Sequence, residues 1–281
     1  MSKKVKIPFI ILFILLFLAS LCAVVYPYLS NYLAQQRQAE IVLQYDAAVG
    51  MVQDADVSAA LEAARAYNAA LANGQAEGIT DYDELLDLTG NGMMGIITIP
   101  SIGVELPIYH GTQSLELGAL HLQGTSLPVG GASTHCVISA HSGMSSEKMF
   151  TDLDQLAEGD VFYLKVYGET LAYEVDQILT VLPENVEPLM IVPEEDFCTL
   201  LTCTPYGVNT HRLLVRGQRI AYEPETAGAE AQTPVHAKQS TWMQQYIRGI
   251  LCGVGIVAAA AVAIIAIILI RRRRRRKHDE G

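Results

Sequence analysis

Cys203 closes the run Thr199-Leu200-Leu201-Thr202-Cys203, Arg212 follows it by nine residues, and His141 ends the distant run Val137-Ile138-Ser139-Ala140-His141. A β-branched, apolar run that stops at a lone cysteine suits a strand delivering a thiol to a surface cleft. Pro205, Tyr206, Gly207 and Asn209 supply turn residues before the chain returns through Thr210 to Val215. If 197–203 and 210–216 pair as an antiparallel hairpin centred between Gly207 and Val208, Cys203 falls opposite Arg212. Directly opposed residues hold their Cβ atoms roughly 4.5–5.5 Å apart. A guanidinium at that range favours a thiolate and can hold a carbonyl oxygen that turns negative during acyl transfer. The base or acid must come from elsewhere, and His141 is the best placed, at a strand end beside Ser142-Gly143. Together Cys203, His141 and Arg212 read as a cysteine transpeptidase site.

The elements that position these groups follow from the rest of the chain. At 281 residues and 51% hydrophobic content there is material for one sizeable core and two membrane segments. Residues 7–29 are apolar apart from Ser20 and follow Lys3, Lys4 and Lys6; residues 250–270 carry no charge and precede Arg271 to Arg276 and Lys277. Basic flanks stay on the cytoplasmic side, so both termini are expected inside and the middle outside. An uncleaved anchor fits the first segment better than a signal peptide, because no clean small-x-small cleavage site surrounds Ser20 to Ala23. Setting aside the flanks leaves nine basic residues against 28 acidic ones, a balance of −19 outside. So acidic a segment excludes nucleic acid as a partner, and the arginine run reads as a topological stop.

Residues 30–73 are rich in Ala, Gln, Glu and Leu, lack proline and end on Asn73-Gly74, which predicts two helices broken near 50–56. Beyond residue 92 the pattern changes to short apolar runs separated by Gly and Pro turns: 94–100, 104–109, 135–140, 161–166, 170–181, 197–203 and 212–220. That rhythm belongs to a closed β-barrel. The expected divisions are a cytoplasmic N-terminus (1–6), a transmembrane helix (7–29), a helical region with room for a lid (30–94), a catalytic barrel (95–222), a linker (223–246), a second transmembrane helix (247–270) and a basic tail (271–281). Among five cysteines, Cys22 and Cys252 fall in the spans, leaving three outside and at least one free thiol. Cys198 and Cys203 sit on opposite faces of one strand and do not bridge; Cys136 and Cys198 read as small core residues. His110, His121 and His135 read as structural, and His211 points away from the face of Cys203. Nothing has the spacing of a zinc or calcium site, so no metal or cofactor is expected.

With these motifs in place, the chain resembles the class C, pilus-type sortases of Gram-positive bacteria. The resemblance rests on Thr-Leu-x-Thr-Cys at 199–203, on Thr204-Pro205-Tyr206-Gly207, and on Asn209 through Gly217. It extends to Leu106-Pro107-Ile108-Tyr109-His110-Gly111, to His121 through Pro128, and to Ser139-Ala140-His141. It implies a mainly β fold: an eight-stranded closed barrel preceded by two helices. It also implies Cys203 as nucleophile, His141 as general acid/base and Arg212 as stabilising cation. The reaction implied is cleavage of a Leu-Pro-x-Thr-Gly-type sorting signal between Thr and Gly through a thioacyl enzyme. Transfer then goes to an amine, a pilin lysine or alternatively a cell-wall peptide as in housekeeping sortases. Partners would be sorting-signal-bearing surface proteins or pilin subunits, with membrane lipid around the spans. Class C sortases carry an Asp-Pro-aromatic lid; residues 74–94 contain no proline, and only Asp81-Tyr82 offers an acid and an aromatic there. A papain-like hydrolase would open a helix with its cysteine and orient its histidine with Asn or Asp. A non-catalytic membrane scaffold would tolerate loss of Cys203.

Overall fold

The computed structural model describes residues 3–75, 82–87, 90–111, 117–142, 147–224, 248–253 and 255–256. Two compact units divide the chain, 1–238 and 239–281. In the second, the described residues are helical. The first contains two helices, α1 (Lys3–Val49) and α2 (Asp54–Ala72), followed by eight strands. Asp54 and Asp56 in the first turn of α2 face the positive end of its dipole, and Asn73 closes it with backbone bonds to the last carbonyls. The break between the helices falls at 50–53, inside the interval that the sequence suggests. Helix α1 runs through both the N-terminal apolar segment and the first amphipathic stretch. Among the described residues no helix is long and apolar enough to cross a membrane. Leu18, Leu21, Val25 and Leu29 of α1 are exposed.

The strands are β1 (Met93–Ile99), β2 (Val104–Tyr109), β3 (Ala119–His121), β4 (Thr134–Ser139), β5 (Val161–Val166), β6 (Glu169–Val181), β7 (Asp196–Thr204) and β8 (His211–Ile220). They close in the order β1-β2-β3-β4-β7-β8-β6-β5. Seven match apolar runs of the sequence; β3 has no such run, being three residues long between two turns. Most neighbours pair antiparallel, but β2 with β3 and β4 with β7 pair parallel. The β4–β7 pairing is the consequential one, because it brings together segments some sixty residues apart: Thr134 pairs with Asp196 and Ser139 with Leu201.

Alternation along the strands sorts side chains to two faces. Ile96, Leu106, Ile108, Cys136, Ile138, Phe162, Tyr173, Cys198, Leu200 and Val215 fill the interior. Gly217 lies where a side chain has no room, since a Cβ there would stand 2.6 Å from Phe162 Cε1 and 2.9 Å from Tyr173 Cβ. The helices are fastened to the barrel by buried polar groups. Asn68 of α2 brackets Leu127, donating to its carbonyl (3.1 Å) and accepting from its amide (2.7 Å). Tyr45 of α1 donates to Met94 O (3.0 Å) and accepts from the Tyr167 amide (3.1 Å).

Candidate active site

Strand β7 delivers Cys203 one residue before its end, and β8 places Arg212 directly across the ladder from it. The register matches the hairpin expected from the sequence at each paired position, from Phe197 with Gln218 to Thr204 with His211. The turn closes with amides of Val208 and Asn209 both donating to Pro205 O (3.0 Å each). Gly207 and Asn209 have positive φ there, a conformation that Gly adopts freely and Asn tolerates. Arg212 Nη1 donates to the carbonyls of Asn209 (3.2 Å) and His211 (3.1 Å), so the turn backbone holds the guanidinium at the barrel rim. Cys203, His141 and Arg212 are each partly exposed.

His141 reaches the same rim from β4. The parallel ladder ends with Ala140 N donating to Leu201 O (3.2 Å). Beyond that point side chains continue the connection. Thr202 Oγ1 donates to Ala140 O (2.7 Å), and Ser142 Oγ donates to Cys203 O (2.5 Å). The carbonyl of His141 accepts from the Phe150 amide (3.0 Å). The three sequence-predicted residues thus come together on the ends of three adjacent strands. No hydrogen bond among the described residues joins their side chains to one another. A thiol, an imidazole and a guanidinium on one edge are the parts of acyl transfer: a nucleophile, a proton carrier and a fixed positive charge. Ser142 and Thr202 escaped notice in the sequence, although each is the immediate neighbour of a candidate site residue.

His110, His121 and His135 are engaged elsewhere. His135, on the outer face of β4, donates from Nδ1 to Met190 O (2.9 Å) and accepts at Nε2 from Thr199 Oγ1 (2.7 Å). Burial pushes its pKa down. His121 donates to Ser126 O (2.9 Å) and accepts from the Tyr82 hydroxyl (2.7 Å). His110 ring nitrogens lie against Leu85 O (2.6 Å) and Gly92 O (3.0 Å). Tyr82 is buried between these two rings, edge-on to His110, and burial raises its pKa. A groove beside this segment is lined by Asp83, His110, His121 and Ser139, the last lying two residues before His141. Asp81, the other half of the lid expectation, lies outside the described residues. Cys136 and Cys198 are paired across β4 and β7, buried and unbridged.

Residues 97–220 match the sortase domain family. The crystal structure of sortase C1 from Streptococcus agalactiae superposes with a TM-score of 0.63 at 41% identity, covering 66% of this chain and all of that one (100%). The chain belongs to the sortase family. Sortase C of Clostridium perfringens, solved with the C-terminal cell wall sorting motif, gives a TM-score of 0.61 at 44% identity, again covering 66% of this sortase and 100% of that chain. Sortase A of Streptococcus agalactiae serotype III (strain NEM316) is 30% identical over 131 residues, 45% of this sortase. This chain spans about half, 52%, of that curated relative's length. Sortases are cysteine transpeptidases, and the solved structures that this sortase resembles are of the class C, pilus-related kind.

Proposed function

We propose that this protein is a membrane-anchored sortase that cleaves a Leu-Pro-x-Thr-Gly-type sorting signal between Thr and Gly and passes the acyl group to an amine. The observation that carries the reading is the juxtaposition of Cys203 with Arg212 across β7 and β8, beside His141 at the end of the parallel-paired β4. Cys203 Sγ attacks the Thr carbonyl carbon; the new S–C bond gives a tetrahedral intermediate, whose collapse breaks the Thr–Gly C–N bond and leaves a thioester. Arg212 meets the oxyanion of the tetrahedral intermediate. Imidazolium at His141 gives its proton to the departing glycine amine; the neutral ring then takes one from the incoming amine, which displaces the thiolate. A pilin lysine is the preferred acceptor, making an isopeptide bond, because the likeness is to class C structures. A cell-wall peptide amine is the alternative.

The anchor reading is supported by the uncharged stretches at 7–29 and 250–270 with their basic flanks, and by the exposed apolar side chains along α1. Both termini are then cytoplasmic and the barrel extracellular. Tyr82, with Asp81, is retained as a lid element: Tyr82 is buried against His110 and His121, in a segment beside Ser139.

The test is mass spectrometry of the protein incubated with a Leu-Pro-x-Thr-Gly peptide, with and without a lysine-bearing acceptor peptide. The expected result is an acyl adduct on Cys203 that disappears, with formation of the joined peptide, only when the amine is present. Cys203→Ala abolishes both. Release by water at the same rate with or without amine overturns the transferase reading, and turnover by Cys203→Ala overturns the nucleophile.

A further inference from the structure

The main-chain bonds between β4 and β7 end with Ala140 N to Leu201 O, one residue before His141 and two before Cys203, and two hydroxyls take over where they end. Thr202, next to the cysteine, donates to the carbonyl of Ala140, next to the histidine (2.7 Å). Ser142, next to the histidine on its other side, donates to the carbonyl of Cys203 itself (2.5 Å). The two bonds run in opposite senses, one from each strand to the other. Thr202 is buried, so its bond is shielded from competing water; Ser142 is partly exposed at the rim.

We propose that Ser142 and Thr202 are positioning residues whose reciprocal bonds set the separation of His141 from Cys203. The proposal rests on the reading of Cys203 as nucleophile and His141 as acid/base. Neither hydroxyl touches a reacting atom. Each fixes the backbone on which a reacting side chain stands, and both tie that backbone to the opposite strand. Among the described residues, the His141 carbonyl accepts from the Phe150 N–H (3.0 Å). Without the Ser142 hydroxyl, the residue after His141 loses its bond to the Cys203 carbonyl, and the imidazole is held less firmly relative to the thiol. Proton transfer demands hydrogen-bond reach at the moment of bond breaking, and a misplacement of about 1 Å costs up to ~100-fold in rate.

The decisive variants are Ser142→Ala and Ser142→Thr in the full chain, with Thr202→Val as the second arm and Cys203→Ala as the control. The readouts are kcat and KM for peptide cleavage, the pH–rate profile, and the melting temperature. Ser142→Ala is expected to lower kcat by about ten- to a hundredfold with KM little changed, within the range that small misplacement gives. It should also displace the limb of the pH profile set by the histidine, while Ser142→Thr, which keeps the hydroxyl, restores both. A change in melting temperature with kcat and pH profile intact in Ser142→Ala and in folded Thr202→Val overturns the proposal, leaving the hydroxyls structural. Undiminished turnover by Cys203→Ala overturns the underlying reading instead, so the two failures are distinguishable.

Discussion

At the scale of single residues, the Cys203–Arg212 pair asks for a planar, permanently charged partner. Lysine would keep the charge but place it on a flexible stem without the fork of donors that the turn carbonyls of Asn209 and His211 orient. Arg212→Lys is therefore expected to lower kcat/KM by about 10²–10³-fold, the usual cost of losing an oxyanion donor, while leaving thermal stability near that of the parent. Steady-state cleavage of a sorting-signal peptide measures it, and a kcat/KM within a fewfold of the parent would remove Arg212 from the oxyanion role. Much of this pair was legible in the sequence: an apolar run, a cysteine, a turn of Pro, Gly and Asn, and a return strand fix a register by counting alone. The hydroxyls of Ser142 and Thr202 were not, because their partners are backbone carbonyls on another strand, and nothing in the local pattern tells a serine after a histidine which carbonyl it will meet.

Elements show the same division. Helix α2 and seven strands announce themselves through periodicity and turn residues, whereas β3 is too short to have a period and exists because its neighbours β2 and β4 offer it partners. That β4 lies beside β7 is a fact of barrel closure rather than of either segment, and neither run of residues announces it. His135 links that ladder to the 182–195 connection through Met190. Its neutral form is the one that burial and the Thr199 hydroxyl favour, so its folded pKa lies below the ordinary 6.5. The sign follows: the unfolded chain takes up the proton first on acidification, so stability is full above about pH 6.5 and declines as pH falls from there toward the folded pKa. Chemical denaturation at pH 7.5 and 5.5 should show the parent losing more stability than His135→Gln over that interval. Gly217 offers a second test. An alanine there drives a methyl into Phe162 and Tyr173 and is expected to cost about 1–3 kcal/mol, read as a lower denaturation midpoint. The segment carrying Tyr82 can be tested as an element too. If it covers the site, Tyr82→Ala raises the rate of peptide cleavage; an unchanged rate removes the reason for calling it a lid.

At the largest scale, the helices and the barrel belong to one compact unit and are joined in part by buried polar contacts. Asn68 satisfies both backbone groups of Leu127 at once, and no apolar residue can replace it. Asn68→Leu is expected to destabilise the protein by about 2–6 kcal/mol, since two buried backbone groups lose their partners. Hydrogen exchange should accelerate first in α2, and protection there equal to the parent's would argue that the helix is held by its apolar face alone. The order of strands around the barrel carries one more consequence. β8, the last strand in sequence among the described residues, lies between β7 and β6, and it is β8 that sets the guanidinium opposite the cysteine. A chain emerging from its N-terminus therefore holds a cysteine with no cationic neighbour until its final strand has slotted home. Closing the cylinder and pairing the two residues are thus a single event in this topology.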